Sequence, residues 1–145
     1  MTQEPNNIEM YGFYIERTMK KIRQHLQGRF AEMGADLTVD QWVLLDLLNK
    51  QDGLSQNEIA RQVYKDAPTV TRIIDLLCKK GLTRRVADEA DRRRFSIVLT
   101  SEGKAKVEEV LPVVIEVREQ GWGGLSATDY ADLIRILNTV FDNLK

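Results

Sequence analysis

The sequence predicts a mainly α fold with a small β-hairpin: four helices, the hairpin, then two more helices. Three observations predict it. Apolar residues recur at helical spacing through long segments near both ends of the chain. Short polar signatures with the spacing of helix N-caps open several segments in between. One stretch, Leu82 to Leu99, switches from that period to alternation around a charged turn.

The first helix follows from Ile8, Tyr11, Ile15, Met19, Ile22, Leu26, Phe30 and Met33, whose steps of three and four keep one stripe on one face. Glu16, Arg17, Lys20, Lys21 and Arg23 occupy the other face. Globular helices average roughly 10–14 residues, so a stripe this long calls for a partner helix or a second subunit. Thr38 with Gln41 forms a capping box ahead of Trp42, Val43, Leu44, Leu45, Leu47 and Leu48, a helix apolar on most sides and therefore buried. Asp52-Gly53 turns the chain. Ser55 with Glu58 is a second capping box and opens a short helix over 55–63, with Ile59, Ala60 and Val63 inward. Asp66 is placed to cap the fourth helix, and Pro68 suits its first turn, where backbone N–H groups lack intrahelical partners. Gly81 ends that helix.

Leu82–Ala87 and Phe95–Leu99 alternate polar and apolar residues and are joined by Asp88-Glu89-Ala90-Asp91-Arg92, which reads as a hairpin with a charged tip. Thr100-Ser101 begins a fifth helix carrying Val107, Val110, Leu111, Val114 and Ile115, which Pro112 is expected to kink. Gly121-Trp122-Gly123-Gly124 interrupts the chain. Ser126 with Asp129 caps a last helix bearing Tyr130, Leu133, Ile134, Leu137, Val140, Phe141 and Leu144. Two short helices with a tight turn, then a hairpin, outline a winged helix-turn-helix flanked by long apolar-striped helices.

Composition narrows the function classes. The chain has 145 residues, 21 Lys+Arg, 22 Asp+Glu, one Cys and one His. That length is a prior for one domain with a core of its own. One cysteine excludes an internal disulfide, and Cys78 with His25 leaves too few N/S ligands for structural zinc. No apolar run approaches the ~18 residues of a membrane span, and the polar start, Met1–Asn7, lacks the pattern of a signal peptide. The expectation is a soluble cytoplasmic protein without cofactor or metal. No nucleophile–base set, glycine-rich phosphate loop or metal-ligand spacing points to an enzyme.

Net charge is −1 overall, but it is unevenly spread. Residues 1–54 carry 6 basic and 8 acidic groups, residues 55–94 carry 10 and 6, and residues 95–145 carry 5 and 8. A basic middle between acidic ends is a footprint for an anionic partner. In a helix-turn-helix the second helix enters the major groove N-terminal end first. Here that end presents Ala67, Pro68, Thr69, Thr71 and Arg72, the last able to read guanine with two hydrogen bonds. The N-termini of the third and fourth helices can each receive a phosphate, with Ser55 and Gln56 as side-chain donors at the first. Arg92, Arg93 and Arg94 on the hairpin suit the negative potential of an A·T-rich minor groove, and Asp91 can hold a neighbouring arginine extended.

Asp91-Arg92-Arg93-Arg94-Phe95-Ser96-Ile97-Val98-Leu99-Thr100 resembles the D-x-R-x-x-x-x-x-L-T wing signature of the MarR family of transcriptional regulators. Leu37–Trp42, Ser55–Ala60, Thr71-Arg72, Leu76, Leu77 and Gly81 extend the resemblance over nearly the whole chain. It implies a homodimer joined through 1–33 and 101–145, a winged helix-turn-helix lobe over 37–100, and a repressor acting on pseudo-palindromic operators in double-stranded DNA. It makes Arg93 the arginine of the minor groove and Asp91 the residue that orients the wing. It also implies a small aromatic or phenolic effector. Met10, Tyr11, Tyr14 and Trp42 are candidates to line its pocket, and ordinary core and interface packing is the other reading of the same residues. Cys78 reads as a packed thiol, His25 as a surface or interface histidine, and Asp88, Glu89 and Asp91 as a solvated tip. A winged helix serving protein–protein contact without DNA stands as the alternative function.

Overall fold

A computed structural model describes residues 10–91 and 93–145. Six helices and three strands follow in the order α1 (Tyr11–Glu32), α2 (Val39–Lys50), β1 (Leu54–Ser55), α3 (Gln56–Val63), α4 (Ala67–Lys79), β2 (Thr83–Ala87), β3 (Phe95–Leu99), α5 (Ser101–Gly121) and α6 (Ala127–Asn143). Ile8, the first residue of the predicted stripe, and Arg92 lie outside the described residues.

The local signals act as their chemistry requires. Thr38 and Gln41 close a reciprocal capping box on α2, and Ser126 and Asp129 close one on α6. Ser55 makes half of one: its hydroxyl accepts from the Glu58 N–H at 3.2 Å, with no return bond from the Glu58 side chain. Thr100 caps α5 through the Gly103 N–H, and α5 continues through Pro112 as one helix.

The sheet is antiparallel with order β1-β3-β2. β1 was not expected from the sequence. It adds Leu54 and Ser55 to β3 opposite Ile97 and Ser96. Ile97 is fully buried between the sheet and a core built from Leu44, Leu45, Leu48, Ile59, Ile74 and Leu77. α5 packs on α1 and α2, and its Val107, Val110 and Val114 enter that same core. Polar stitches tie α1 and α5 to the start of α2 and the loop before it. The Gln27 amide donates to the Leu37 carbonyl at 2.9 Å and accepts from the Val39 N–H at 3.0 Å. Lys106 donates to the Ala35 carbonyl at 3.1 Å.

Two apolar faces remain largely uncovered among the described residues. On α1, Tyr11, Tyr14, Ile15, Met19 and Ile22 are exposed, and on α6 so are Tyr130, Leu133, Ile134 and Phe141. α6 has no fully buried residue.

Candidate nucleic-acid interface

The helix-turn-helix is α3, the turn Tyr64–Asp66, and α4. Tyr64 takes the left-handed conformation (φ 55°) that ends α3, and Asp66 starts α4 by accepting the Thr69 N–H at 2.9 Å. Hydrogen bonds from the Thr69 side chain and backbone hold the Asp66 carboxyl below its ordinary value. This start changes the expected phosphate seat. Pro68 has no N–H, the Thr69 N–H goes to the Asp66 carboxylate, and the Val70 N–H goes to the Asp66 carbonyl. The Ala67 N–H is left as the open donor of the first turn, beside a carboxylate that repels phosphate.

Ala67, Pro68 and Arg72 are exposed along α4, while Thr69 and Thr71 are half-buried. Thr71 and Gln56 meet each other: the Gln56 amide donates to the Thr71 hydroxyl at 2.8 Å, and that hydroxyl donates to the Ala67 carbonyl at 3.0 Å. Gln56 and Thr71 are thus a hydrogen-bonded pair joining α3 to α4, where the sequence suggested two free donors. Ser55, likewise, spends its hydroxyl on its own helix.

The hairpin β2–β3 projects from the sheet as the wing. Its tip is set by acceptors at Asp88 and Asp91. The Asp91 carboxylate accepts the Arg93 N–H at 3.1 Å and lies 3.7 Å from Arg93 Nε. The Asp91 carbonyl accepts the Arg94 N–H at 2.9 Å, and the Asp88 carboxylate accepts the Ala90 N–H at 2.9 Å. Asp91 therefore shapes the turn through the backbone as well as through charge. The Arg93 side chain is 95% exposed and Arg94 is exposed. The hairpin tip and α4 thus each present an exposed arginine, Arg93 and Arg72.

A model of the MarR family matches residues 37–95, the span from the entry of α2 into β3. The chain is 26% identical over 131 residues to the transcriptional repressor NicR of Pseudomonas putida, covering 89% of this chain and 83% of NicR. The DNA complex of MepR from Staphylococcus aureus superposes with a TM-score of 0.84 at 27% identity, covering 93% of this chain and 98% of MepR. BpsR of Bordetella bronchiseptica, whose DNA binding 6-hydroxynicotinic acid regulates, superposes with a TM-score of 0.85 at 26% identity, covering 97% and 99%. This chain is similar to MarR-family regulators.

Beside the wing and α4, two further features of the chain bear on the site. The first is Arg85 on β2, which the sequence offered only as one basic residue among ten. It lies over α3 and α4 and bonds both. Its distance in sequence from Gln56 hid it. The second concerns the proposed effector residues. Met10, Tyr11 and Tyr14 are exposed on α1, but Trp42 is 3% exposed and belongs to the core, because α2 is apolar nearly all round. Two clefts of about 230 and 240 Å³ lie beside α1 and the start of α2, lined by Arg23, Gln27, Phe30, Thr38, Asp40 and Lys80 among others, and none of the four residues lines either. Cys78 is half-buried, its Sγ 3.3 Å from the Thr83 hydroxyl. No helix among the described residues is long and apolar enough to cross a membrane, and no group of three or more His, Cys, Asp or Glu is placed to hold a metal.

Proposed function

We propose that this chain is a sequence-specific DNA-binding repressor that acts as a homodimer on pseudo-palindromic operators in the cytoplasm. The observation that carries the reading is Arg93, 95% exposed on a turn shaped by Asp91, in a chain whose α4 exposes Ala67, Pro68 and Arg72. α4 reads the major groove through Ala67, Pro68 and Arg72, with Thr69 and Thr71 at its edge, and the wing enters the minor groove through Arg93 with Arg94 beside it. Arg92, outside the described residues, belongs to the same run. Residues 37–100 form the DNA-contacting lobe, and 1–33 with 101–145 supply the dimer arms.

The uncovered faces of α1 and α6 support the dimer. They present aromatic and aliphatic side chains that a lone chain would leave in water, and a two-fold axis buries each against its copy. Two recognition helices so related must sit about one helical turn, ~34 Å, apart. A small aromatic effector that prefers a dimer with another spacing would release the operator by population shift. The regulation of BpsR by 6-hydroxynicotinic acid supports that part of the reading. The chain has no catalytic role in it.

Selection of bound duplexes from a random pool at near-physiological salt tests the proposal. Enrichment of an inverted repeat with half-sites about 10 bp apart is the expected result. A purified, ligand-free dimer that enriches no sequence, with an affinity indifferent to salt, would refute it and leave a protein-binding winged helix.

A further inference from the structure

Arg85 sits in the middle of β2, opposite Ile97 of β3, so it is part of the wing. Its guanidinium leaves the wing and lies across the helix-turn-helix. Nε donates to the Gln56 side-chain oxygen Oε1, on α3, at 3.3 Å. Nη2 is ion-paired with Asp75 of α4. Nη1 lies 3.9 Å from Cys78 Sγ, also on α4. Each of the three nitrogens thus holds a different residue, and the planar fork fixes all three directions together. The path does not stop there. Gln56 donates onward to the Thr71 hydroxyl at 2.8 Å, and Thr71 to the Ala67 carbonyl at 3.0 Å. A continuous hydrogen-bonded path runs from the wing strand through Arg85, Gln56 and Thr71 to the first turn of α4.

We infer that Arg85 is a positioning residue for DNA recognition: it fixes the wing, and with it Arg93, relative to the groove-reading end of α4. The inference rests on the DNA-binding reading above and adds how its two halves are held in register. The physical need is clear from the hairpin itself. A hairpin anchored only at its base pivots, and among the described residues no hydrogen bond or ion pair ties the Arg93 side chain to α4. Its ion pair is with Asp91 beside it. Two grooves are read at once only if the tip and the helix keep a fixed separation, and misplacement by about 1 Å is enough to lose a directional contact. Arg85 supplies the crosslink. Its side chain is 29% exposed, and its role is to act through Arg93 and α4 without spending its charge on phosphate.

A double-mutant cycle on operator affinity separates this role from the two others Arg85 could have. In the parent protein Arg93→Ala is expected to weaken binding about tenfold. With Arg85→Ala already present, where the wing is no longer held, the same Arg93 change is expected to cost less than about threefold, a coupling within the range of contacting networks. Arg85→Lys is expected to behave like Arg85→Ala, because a single ammonium cannot hold three directions. Asp75→Asn, at a residue 59% exposed and so safe for folding, should lower the Arg93 effect in the same sense. If Arg85→Lys keeps parental affinity and the Arg93 effect stays tenfold in every background, Arg85 is a phosphate contact and the inference falls. If the Arg85 variants lose only thermal stability while folded dimers bind with parental affinity, the role is structural and the inference falls too. An Arg93→Ala protein with parental affinity would instead overturn the wing assignment itself.

Discussion

Gly103 offers a sharp test of the packing, because two effects of opposite sign compete there. It is the third residue of α5, in the first turn, where alanine is better than glycine by at most the ~0.5–1 kcal/mol of a helix interior. Yet a Cβ built on Gly103 would stand 2.1 Å from the Leu82 carbonyl oxygen, 3.1 Å from its carbon and 3.2 Å from Leu99 Cδ2. An unstrained carbon–oxygen contact is roughly 3.3 Å or more, so more than an ångström of movement is required. Neither side yields readily: the Leu82 oxygen already accepts the Thr100 N–H at 3.1 Å, and the Gly103 N–H donates to the Thr100 hydroxyl at 3.0 Å. Overpacking against fixed groups costs about 1–3 kcal/mol, and this contact belongs at the top of that range. Subtracting the propensity gain leaves Gly103→Ala destabilised by about 2 kcal/mol, or a fall in Tm of about 4–8 °C for a chain of this size. Thermal unfolding by circular dichroism at fixed protomer concentration reads it. Gly28→Ala, on the exposed side of α1 with no atom near its Cβ, is the control and should be neutral or slightly stabilising. A Gly103→Ala protein as stable as the parent would refute the close approach of α5 to the wing strand.

Arg93→Ala should weaken operator binding about tenfold in fluorescence anisotropy while sedimentation still shows a dimer. Ile134→Asp places a charge on the uncovered face of α6 and should shift the sedimenting species to monomer and abolish operator binding at the same protomer concentration. Asp40 governs part of the acid limb. Burial pushes its carboxyl up, but hydrogen bonds and charge from Arg23 and Lys65 outweigh that and hold it below the ordinary 3.8. Its stabilising share is therefore complete above that value and is lost as pH falls through the lower folded value, so the stability gap between the parent and Asp40→Asn should close in acid titration below about pH 4. Arg72→Ala should cost operator binding about 1–3 kcal/mol and relax specificity at one base position of each half-site, whereas Lys80→Ala should leave the specificity unchanged, both read by competition with substituted operators.

What the sequence made legible was local. Thr38 with Gln41, Asp66 with Pro68 and Ser126 with Asp129 act within a single helical turn, so their spacing alone carries the information. The hairpin was legible because alternation and the charged turn lie within one short stretch. What escaped was held by distant partners. β1 is two residues long and exists because Leu54 and Ser55 pair with Ile97 and Ser96, far along the chain. Trp42 is an aromatic residue that suits a pocket by chemistry, yet its helix is covered on nearly every side and packing decided its place. Gln56 and Thr71 have the donors that DNA contact needs, but each satisfies the other across α3 and α4, which residue type alone does not reveal.

The charge distribution shows why that difference matters for function. Residues 55–94 hold ten basic groups, which by count suggests a broad electrostatic grip. Folding divides them. Lys65 pairs with Asp40 at 3.2 Å, Lys80 donates to the Asp36 carbonyl at 2.6 Å and to Gln41 at 3.0 Å, and Arg85 is bound to Asp75. These three face acceptors of the chain itself, and releasing them to phosphate would break contacts that Lys65 and Lys80 make to the start of α2 and its preceding loop and that Arg85 makes from β2 to α4. Arg61 on α3, Arg72 and Lys79 on α4, Arg84 on β2 and Arg93 and Arg94 on the wing remain exposed. The exposed set lies on the helix-turn-helix and the hairpin, which hold the elements proposed to reach grooves, and the spent set lies in the joints that hold them. Counterion release then comes from fewer phosphates than the basic count implies. Discrimination between sequences accordingly depends on the register between α4 and the wing more than on total charge.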